Sequence, residues 1–312
     1  MKAITYDTFG DSSVLKISEL PDPEPGRGEV LIRLSHTSVN PVDWKIRLGY
    51  LKDAFPHSFP IIPGWDASGE VIALGEDVDE YSVGELVYAY ARLPLVQNGT
   101  YAEKIVLPAN FLARKPNSIN AAEAAAVPLV GLTAYQSLKN IAQLKAGEKA
   151  LILGGAGGVG SFAVQFAKIM GAEVTATTSR LNFDYVRSLG ADHVIDYTNN
   201  QVIEEARKIA AQGFDVIFDA VGGAALEESS QVLAQPEVND RLVSIVETPK
   251  HGHFHFVTPS GEELKEIAAL FDSGRLKLPA ITVRSIKDAA MIQDENAQQH
   301  TRGKIVMTID FA

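Results

Sequence analysis

Cysteine is absent from all 312 residues of the chain. That absence removes disulfides, thiolate nucleophiles and every metal site built on thiolates, structural zinc included. Long apolar runs are absent too: no stretch of about 18 apolar residues is available to span a bilayer. The opening MKAITYDTFGDSS has neither the basic nor the apolar segment of a secretory signal. The expectation is a cytoplasmic protein with no membrane span. Positive charge is scarce, with 28 Lys and Arg against 39 Asp and Glu and a net charge of −11. General affinity for nucleic acid comes from clustered Lys and Arg, so no nucleic-acid partner is expected, and an anionic ligand needs a local positive feature. What is present is 46% hydrophobic residues. At roughly 100 to 200 residues per domain, the length suggests two globular domains.

Proline is unevenly spread: ten of the fifteen, from Pro21 to Pro116, fall in the first 116 residues. Proline interrupts helices and central strands, so this part is expected to be short strands, turns and loops, with strand-like runs at 29–34, 67–73 and 86–91. After about residue 121 apolar β runs alternate with helical stretches, the strands at 150–153, 173–177, 193–195, 216–218, 242–246 and 253–257. Between them, 159–170 puts Val159, Phe162, Ala163, Phe166, Ile169 and Met170 on one helical face, with Gly171 placed to end it. Alternation of this kind implies right-handed crossovers and a doubly wound parallel sheet, an α/β fold. A helix at 261–272 is followed by β-like runs at 281–283 and 304–309, which suggests that the tail rejoins the first domain. The expected organisation is a mainly β domain from 1–121 and 276–312, and an α/β domain from 122–275.

The strand at 150–153 runs into Gly154-Gly155-Ala156-Gly157-Gly158-Val159-Gly160, which opens the helix just described. Gly155, Gly157 and Gly160 satisfy G-x-G-x-x-G in its strand-turn-helix setting, where backbone approaches a pyrophosphate closely. The phosphates are expected on the amides of Gly158, Val159 and Gly160. At the end of the next strand an NAD enzyme carries Asp or Glu to hold the ribose 2′-OH. This chain has Thr177-Thr178-Ser179-Arg180 there. Hydroxyls and the Arg180 guanidinium suit a 2′-phosphate, so NADPH is expected over NADH, unless Arg180 is a solvated loop residue.

With these features the sequence resembles the medium-chain dehydrogenase/reductase superfamily, in its zinc-free quinone oxidoreductase branch. The resemblance runs nearly end to end. It is carried by Asn40-Pro41-Val42-Asp43-Trp44-Lys45-Ile46-Arg47, Pro63-Gly64-Trp65-Asp66-Ala67-Ser68-Gly69-Glu70-Val71 and the stretch from Gly75 to Gly84. Further matches are Gly131-Leu132-Thr133-Ala134-Tyr135, the glycine loop, Leu189-Gly190-Ala191-Asp192 with Asp196-Tyr197, Phe218-Asp219-Ala220-Val221-Gly222, and Gly303-Lys304-Ile305-Val306. The short loop from Ser179 to Asn182 is more similar to the chloroplast-envelope and reticulon-interacting types than to the zeta-crystallin type, which usually has Lys near position 182. Arg180 is then the substitute for that Lys.

The resemblance implies a GroES-like mainly β catalytic domain and a Rossmann-type cofactor domain. In zinc alcohol dehydrogenases of the superfamily a Cys stands near Val39 or Asn40, and a His–Glu pair stands where this chain has Trp65 and Asp66. Without a Lewis acid to lower an alcohol's pKa, alcohol oxidation is a poor candidate. The implied reaction is hydride transfer from NADPH to a quinone or to the β-carbon of an α,β-unsaturated carbonyl, in a cleft between the domains. Relatives are often homodimers joined along an edge of the cofactor sheet, here near Phe254.

Asn40 and Thr133 are the family's neighbours of the nicotinamide and its phosphates, with Asn40 otherwise a turn residue before Pro41. Asp43, Lys45 and Arg47 either line the cleft or form a solvated face. Tyr50 is a candidate hydrogen-bond or proton donor to the reduced carbonyl, or a packed aromatic. Tyr197 matches the position beside the adenosine ribose and 2′-phosphate, with a packed aromatic as the other reading. Asp219 and Val221 end a core strand at the sheet's ligand-binding edge, where Asp219 could also cap the helical pattern from Ala224. Alternating His251, His253 and His255 are read as a partly exposed strand face in preference to a metal site, and Asn98-Gly99-Thr100 as a turn. Two alternatives stay open: an alkenal or enone reductase with little quinone activity, and a non-catalytic NADPH sensor or scaffold.

Overall fold

The computed structural model describes residues 1–199, 201–298 and 303–311. The proline-rich first third folds into short strands, as its punctuation requires. These are β1 (Lys2–Thr5), β2 (Lys16–Glu19), β3 (Glu29–Ser38), β4 (Asp66–Leu74), β5 (Leu86–Tyr90), β6 (Lys104–Pro108) and β7 (Leu112–Arg114). One short helix interrupts them where turns and loops were expected, α1 (Pro41–Arg47), and a second, α2 (Ala121–Ala125), follows β7. α1 forms because Pro41 occupies its first position, where a missing N–H costs nothing, and Asn40 with Asp43 makes a capping box.

From α3 (Pro128–Gln136) onward strands and helices alternate: β8 (Lys149–Leu153), α4 (Gly158–Ile169), β9 (Glu173–Thr178), α5 (Phe183–Ser188), β10 (His193–Asp196) and α6 (Val202–Ile209). They continue with β11 (Val216–Asp219), α7 (Gly223–Ser229), β12 (Leu242–Ser244) and β13 (His253–Phe254). The tail holds α8 (Gly261–Asp272), β14 (Ile281–Ser285), α9 (Ala289–Ala297) and β15 (Lys304–Thr308).

Contacts divide the chain into two compact units, Met1–Leu129 with Thr258–Ala312, and Val130–Val257. The first boundary falls after the expected 121/122 because Ala125 and Ala126 pack with Val306 of β15. The second falls before 275/276 because α8 belongs with the β strands of the first unit, where the Tyr88 hydroxyl donates to the Leu264 carbonyl.

In the first unit a seven-stranded sheet runs β14-β15-β3-β4-β5-β7, with β6 also on β3. β3 is long enough to pair twice along one edge: Glu29 to Arg33 face β6, and His36 to Ser38 face β15. The tail therefore rejoins this sheet, and Ile305 and Met307 of β15 pack on Ile286, Ala289 and Ile292. α9 lies unannounced inside that tail, because its apolar residues do not gather into a stripe. Its polar Gln293 and Asn296 are instead bonded to α1.

The second unit holds a six-stranded parallel sheet, β10-β9-β8-β11-β12-β13, whose central strands β8, β11 and β12 are buried and mostly apolar while edge strand β13 is exposed. α4 keeps its expected span to within a residue and ends with Gly171 at φ +89°, in the left-handed region. β12 and β13 are shorter than expected, since only Val243 and Ser244 pair with His253 and Phe254.

Candidate functional site

In the second unit β8 delivers the chain to the glycine turn. The left-handed residue of that turn is Gly154, at φ +78°, one position ahead of the recognised pattern. Gly160 is needed for a different reason: a Cβ there would lie 2.0 Å from the Gly154 carbonyl oxygen, so only glycine lets α4 start this close to the strand. Gly155 donates its amide to the Thr177 carbonyl at 2.9 Å, which ties the turn to β9. Gly158, Val159 and Gly160 are the first residues of α4, whose amides have no intrahelical acceptor and gather the positive end of the helix dipole. Ala156, Gly157, Gly158 and Val159 are half-buried, while Gly155 and Gly160 are buried.

Next to this turn, β9 ends on Thr177 and Thr178, both buried. The Thr177 hydroxyl accepts the Gly154 amide at 3.1 Å. Ser179 is half-buried, accepting from the Asn182 amide group at 3.2 Å, and Arg180 is exposed. Asp196, which the sequence reading quotes as a motif residue without placing it at this loop, pairs in register with Thr178. It accepts the Thr198 amide at 3.0 Å and the Thr198 hydroxyl at 2.7 Å, and these bonds, with the Arg180 charge adding a little, hold it below the usual carboxylate range. Tyr197 follows it and is 57% exposed.

At the end of β11 Asp219 is fully buried. It accepts from the amides of Val221 and Gly222 at 2.9 and 3.0 Å and from the Ser244 hydroxyl at 2.7 Å. It shapes the turn that leaves Val221 exposed. It does not cap α7, whose N-cap is Gly222 at φ +77°. Thr133 is buried on α3. His253 bonds Asp240 at 3.1 Å, and no group of three metal-binding side chains exists among the described residues.

In the first unit the sheet register builds a buried polar cluster. Asp66 opens β4 and Ser38 closes β3, where the pairing of His36 with Ser68 runs out toward them. β15 pairs Val306 with Ser38, which brings Lys304 level with Asn40. The Asp66 carboxylate accepts the Ser38 hydroxyl at 2.5 Å, the Asn40 amide nitrogen at 2.7 Å and the Leu129 backbone amide at 2.7 Å. Lys304 Nζ lies 3.4 Å from it and donates to Asn40 Oδ1 at 2.5 Å and the Val39 carbonyl at 3.0 Å. Burial lowers the Lys304 pKa against the pull of Asp66.

Asp43 adjoins this group. It accepts the Asn40 backbone amide at 2.9 Å and the Tyr101 hydroxyl at 3.0 Å, and burial pushes its pKa up to about 7. Tyr101 reaches it because Gly64, at φ +93°, leaves the space its ring fills: a Cβ at Gly64 would lie 2.2 Å from that ring. Trp65 stands edge-on to Phe55 and Tyr90, with ring centroids 6.1 Å apart in both cases.

The predicted residues thus separate into three kinds. Asn40 is fully buried and Asp43 nearly so, with their polar atoms engaged inside the protein, so they fix α1 and offer no open surface. Arg47, also buried, is bonded to Gln293 and the Gly10 carbonyl and does not line a cleft. Tyr50, 70% exposed beyond the end of α1, touches the Trp44 ring edge-on. Asp66 and Lys304 are the functional candidates that sequence reasoning missed. The available signal was a lysine heading an otherwise apolar strand, Lys304-Ile305-Val306-Met307.

Against known proteins, residues 26–117 match the alcohol dehydrogenase GroES-like domain and residues 158–237 the zinc-binding dehydrogenase domain. The chain is 32% identical over 328 residues to a chloroplast envelope quinone oxidoreductase homolog of Arabidopsis thaliana, covering 98% of each. It is 34% identical over 320 residues to an NADPH-dependent alkenal/one oxidoreductase, chloroplastic, of the same plant, covering 98% of this chain and 79% of that one. Among solved structures, the quinone oxidoreductase from Coxiella burnetii superposes with a TM-score of 0.85 at 30% identity, over 99% of both chains. No helix among the described residues is long and apolar enough to cross a membrane.

Proposed function

The chain belongs to the medium-chain dehydrogenase/reductase superfamily, in its quinone oxidoreductase branch, and from that premise we propose that it passes a hydride from NADPH to a quinone or an α,β-unsaturated carbonyl without a metal ion. An NAD(P)H-dependent oxidoreductase needs a dinucleotide seat, and the glycine turn of β8 and α4 supplies one: the Gly158, Val159 and Gly160 amides suit a pyrophosphate. NADPH is favoured by exposed Arg180 and half-buried Ser179 at the end of β9. The nicotinamide supplies the hydride; the residues of the chain bind and orient it.

The observation that carries the metal-free reading is the state of Asp66. Zinc is implied by the name of the matched dehydrogenase domain, and the residues here do not fit it. Trp65 offers no ligand atom, there is no cysteine, and the Asp66 oxygens are taken by Ser38, Asn40, Leu129 and Lys304. No Lewis acid is then held to acidify an alcohol, so an acceptor already electrophilic is the fitting substrate. Tyr50 is the exposed donor proposed for the developing oxyanion, with Asn40 and Asp43 fixing the start of the helix that leads to it.

The test is NADPH oxidation with a quinone and, separately, with an enone. Turnover of either supports the reading, and tight NADPH binding without turnover on both overturns it in favour of a sensor. Turnover of the enone alone supports the alkenal/one reductase reading, which the Arabidopsis relative's name favours. We also propose a homodimer through edge strand β13, where Phe254 is 43% exposed; sedimentation at the monomer mass would exclude it. A cytoplasmic location is tested by fractionation, since both plant relatives carry chloroplast names.

A further inference from the structure

Two ions are buried at the start of β4 and β15, and such a pair costs as much desolvation as it returns unless its geometry achieves what apolar side chains would not. Lys304 is 5% exposed and Asp66 fully buried. An ammonium only donates and a carboxylate only accepts, so the pair fixes the Asn40 carboxamide in one of its two flips, Oδ1 toward Lys304 and Nδ2 toward Asp66. Asn40 is also the residue that opens α1, where its backbone amide donates to the Asp43 carboxylate and the Asp43 amide to its carbonyl, and α1 leads to Lys45 and Tyr50. The ammonium sits among the Val39 carbonyl, Asn40 and Asp66. Those are the positions at which the zinc-dependent members of the superfamily carry their Cys and the acidic residue of the His–Glu pair.

We propose that the Lys304 ammonium is the resident cation of this site, and that Lys304 and Asp66 form a positioning pair that sets Asn40 and α1 for hydride transfer. The inference rests on the reductase reading above. In catalysis the pair touches neither cofactor nor acceptor; it acts through Asn40.

The experiment compares Lys304→Met, Asp66→Asn and the double variant with the wild type. Each single change leaves one unpaired charge, whereas the double removes both, so the double is expected to regain most of the Tm that either single loses. Its kcat is nonetheless expected to stay about tenfold or more below wild type with the KM for NADPH within about twofold, the split that marks lost positioning. A double variant with wild-type Tm and wild-type kcat overturns the inference. Added zinc chloride or dialysis against a chelator is expected to leave wild-type kcat unchanged, and a zinc-dependent kcat overturns it as well. If the wild type turns over neither acceptor, the reductase reading fails separately, and hydrogen exchange still tests the clamp. Amides 41–47 are expected to exchange about tenfold faster in the double variant, and unchanged protection is the contrary result.

Discussion

The two units place their chemistry in opposite ways. In the second, the glycine turn and the start of α4 are built from neighbours in sequence, Gly154 to Gly160, and the groups offered to a ligand are backbone amides. In the first, the Asp66 cluster joins residues 38, 40, 66 and 304 through strand register, and its groups are buried side chains bonded to one another. One region leaves backbone hydrogen bonds unmade, as the proposed cofactor seat requires, and the other holds shape by bonding its buried side chains to one another. Substitutions should therefore fail differently: in the turn by steric exclusion and lost cofactor affinity, in the cluster by lost stability and lost positioning.

The largest expected effect is at the cluster. Lys304→Met leaves Asp66 buried without its cation, which should cost about 3 to 5 kcal/mol; urea unfolding measures it, and a loss below about 1 kcal/mol would show that the pair is not integral. Next comes Gly160→Ala. Its methyl would meet the Gly154 carbonyl at 2.0 Å, and relieving that overlap should cost about 1 to 3 kcal/mol and weaken NADPH binding in titration calorimetry. Unaltered affinity would detach the turn from the cofactor.

Arg180→Glu should move the ratio of KM for NADPH to KM for NADH upward by about tenfold or more, since a charged hydrogen bond of about 1.5 to 3 kcal/mol is replaced by repulsion. An unchanged ratio would leave Arg180 a solvated loop residue. An effect of another kind, read along the pH axis, is expected at Asp43, whose pKa is pushed up to about 7 from an ordinary 3.8. Its native form holds the proton more tightly than the unfolded chain does. Its contribution to stability is therefore greatest below about pH 4, falls as pH rises, and levels off above about 7. Asp43→Asn should flatten that segment of the stability–pH curve, and a curve identical to wild type would contradict the assignment.

The same contrast explains what could be read from the sequence. The parallel sheet, the helix from Gly158 and the glycine turn were legible because each is signalled within a dozen residues, by apolar runs, a 3.6-residue period and a local motif. Even there Gly154 escaped, since its left-handed backbone is set by the turn and not by the pattern. The buried node was not legible, because the approach of Lys304 to Asn40 depends on the antiparallel pairing of β15 with β3 across more than two hundred and fifty residues. The place of Asp196 beside Thr178 was hidden for a related reason, since only the pairing of β10 with β9 sets it there. α9 was hidden because its apolar residues form no stripe.

Metal-free hydride donation from a nicotinamide cofactor to an electrophilic acceptor is the reaction proposed for this chain. The most direct measurement is the rate of NADPH oxidation by chelator-dialysed wild-type protein with a quinone or an enone, before and after zinc is restored. Turnover of at least one acceptor is expected, at a rate indifferent to zinc. Turnover that appears only with zinc, or none with either acceptor, would contradict it.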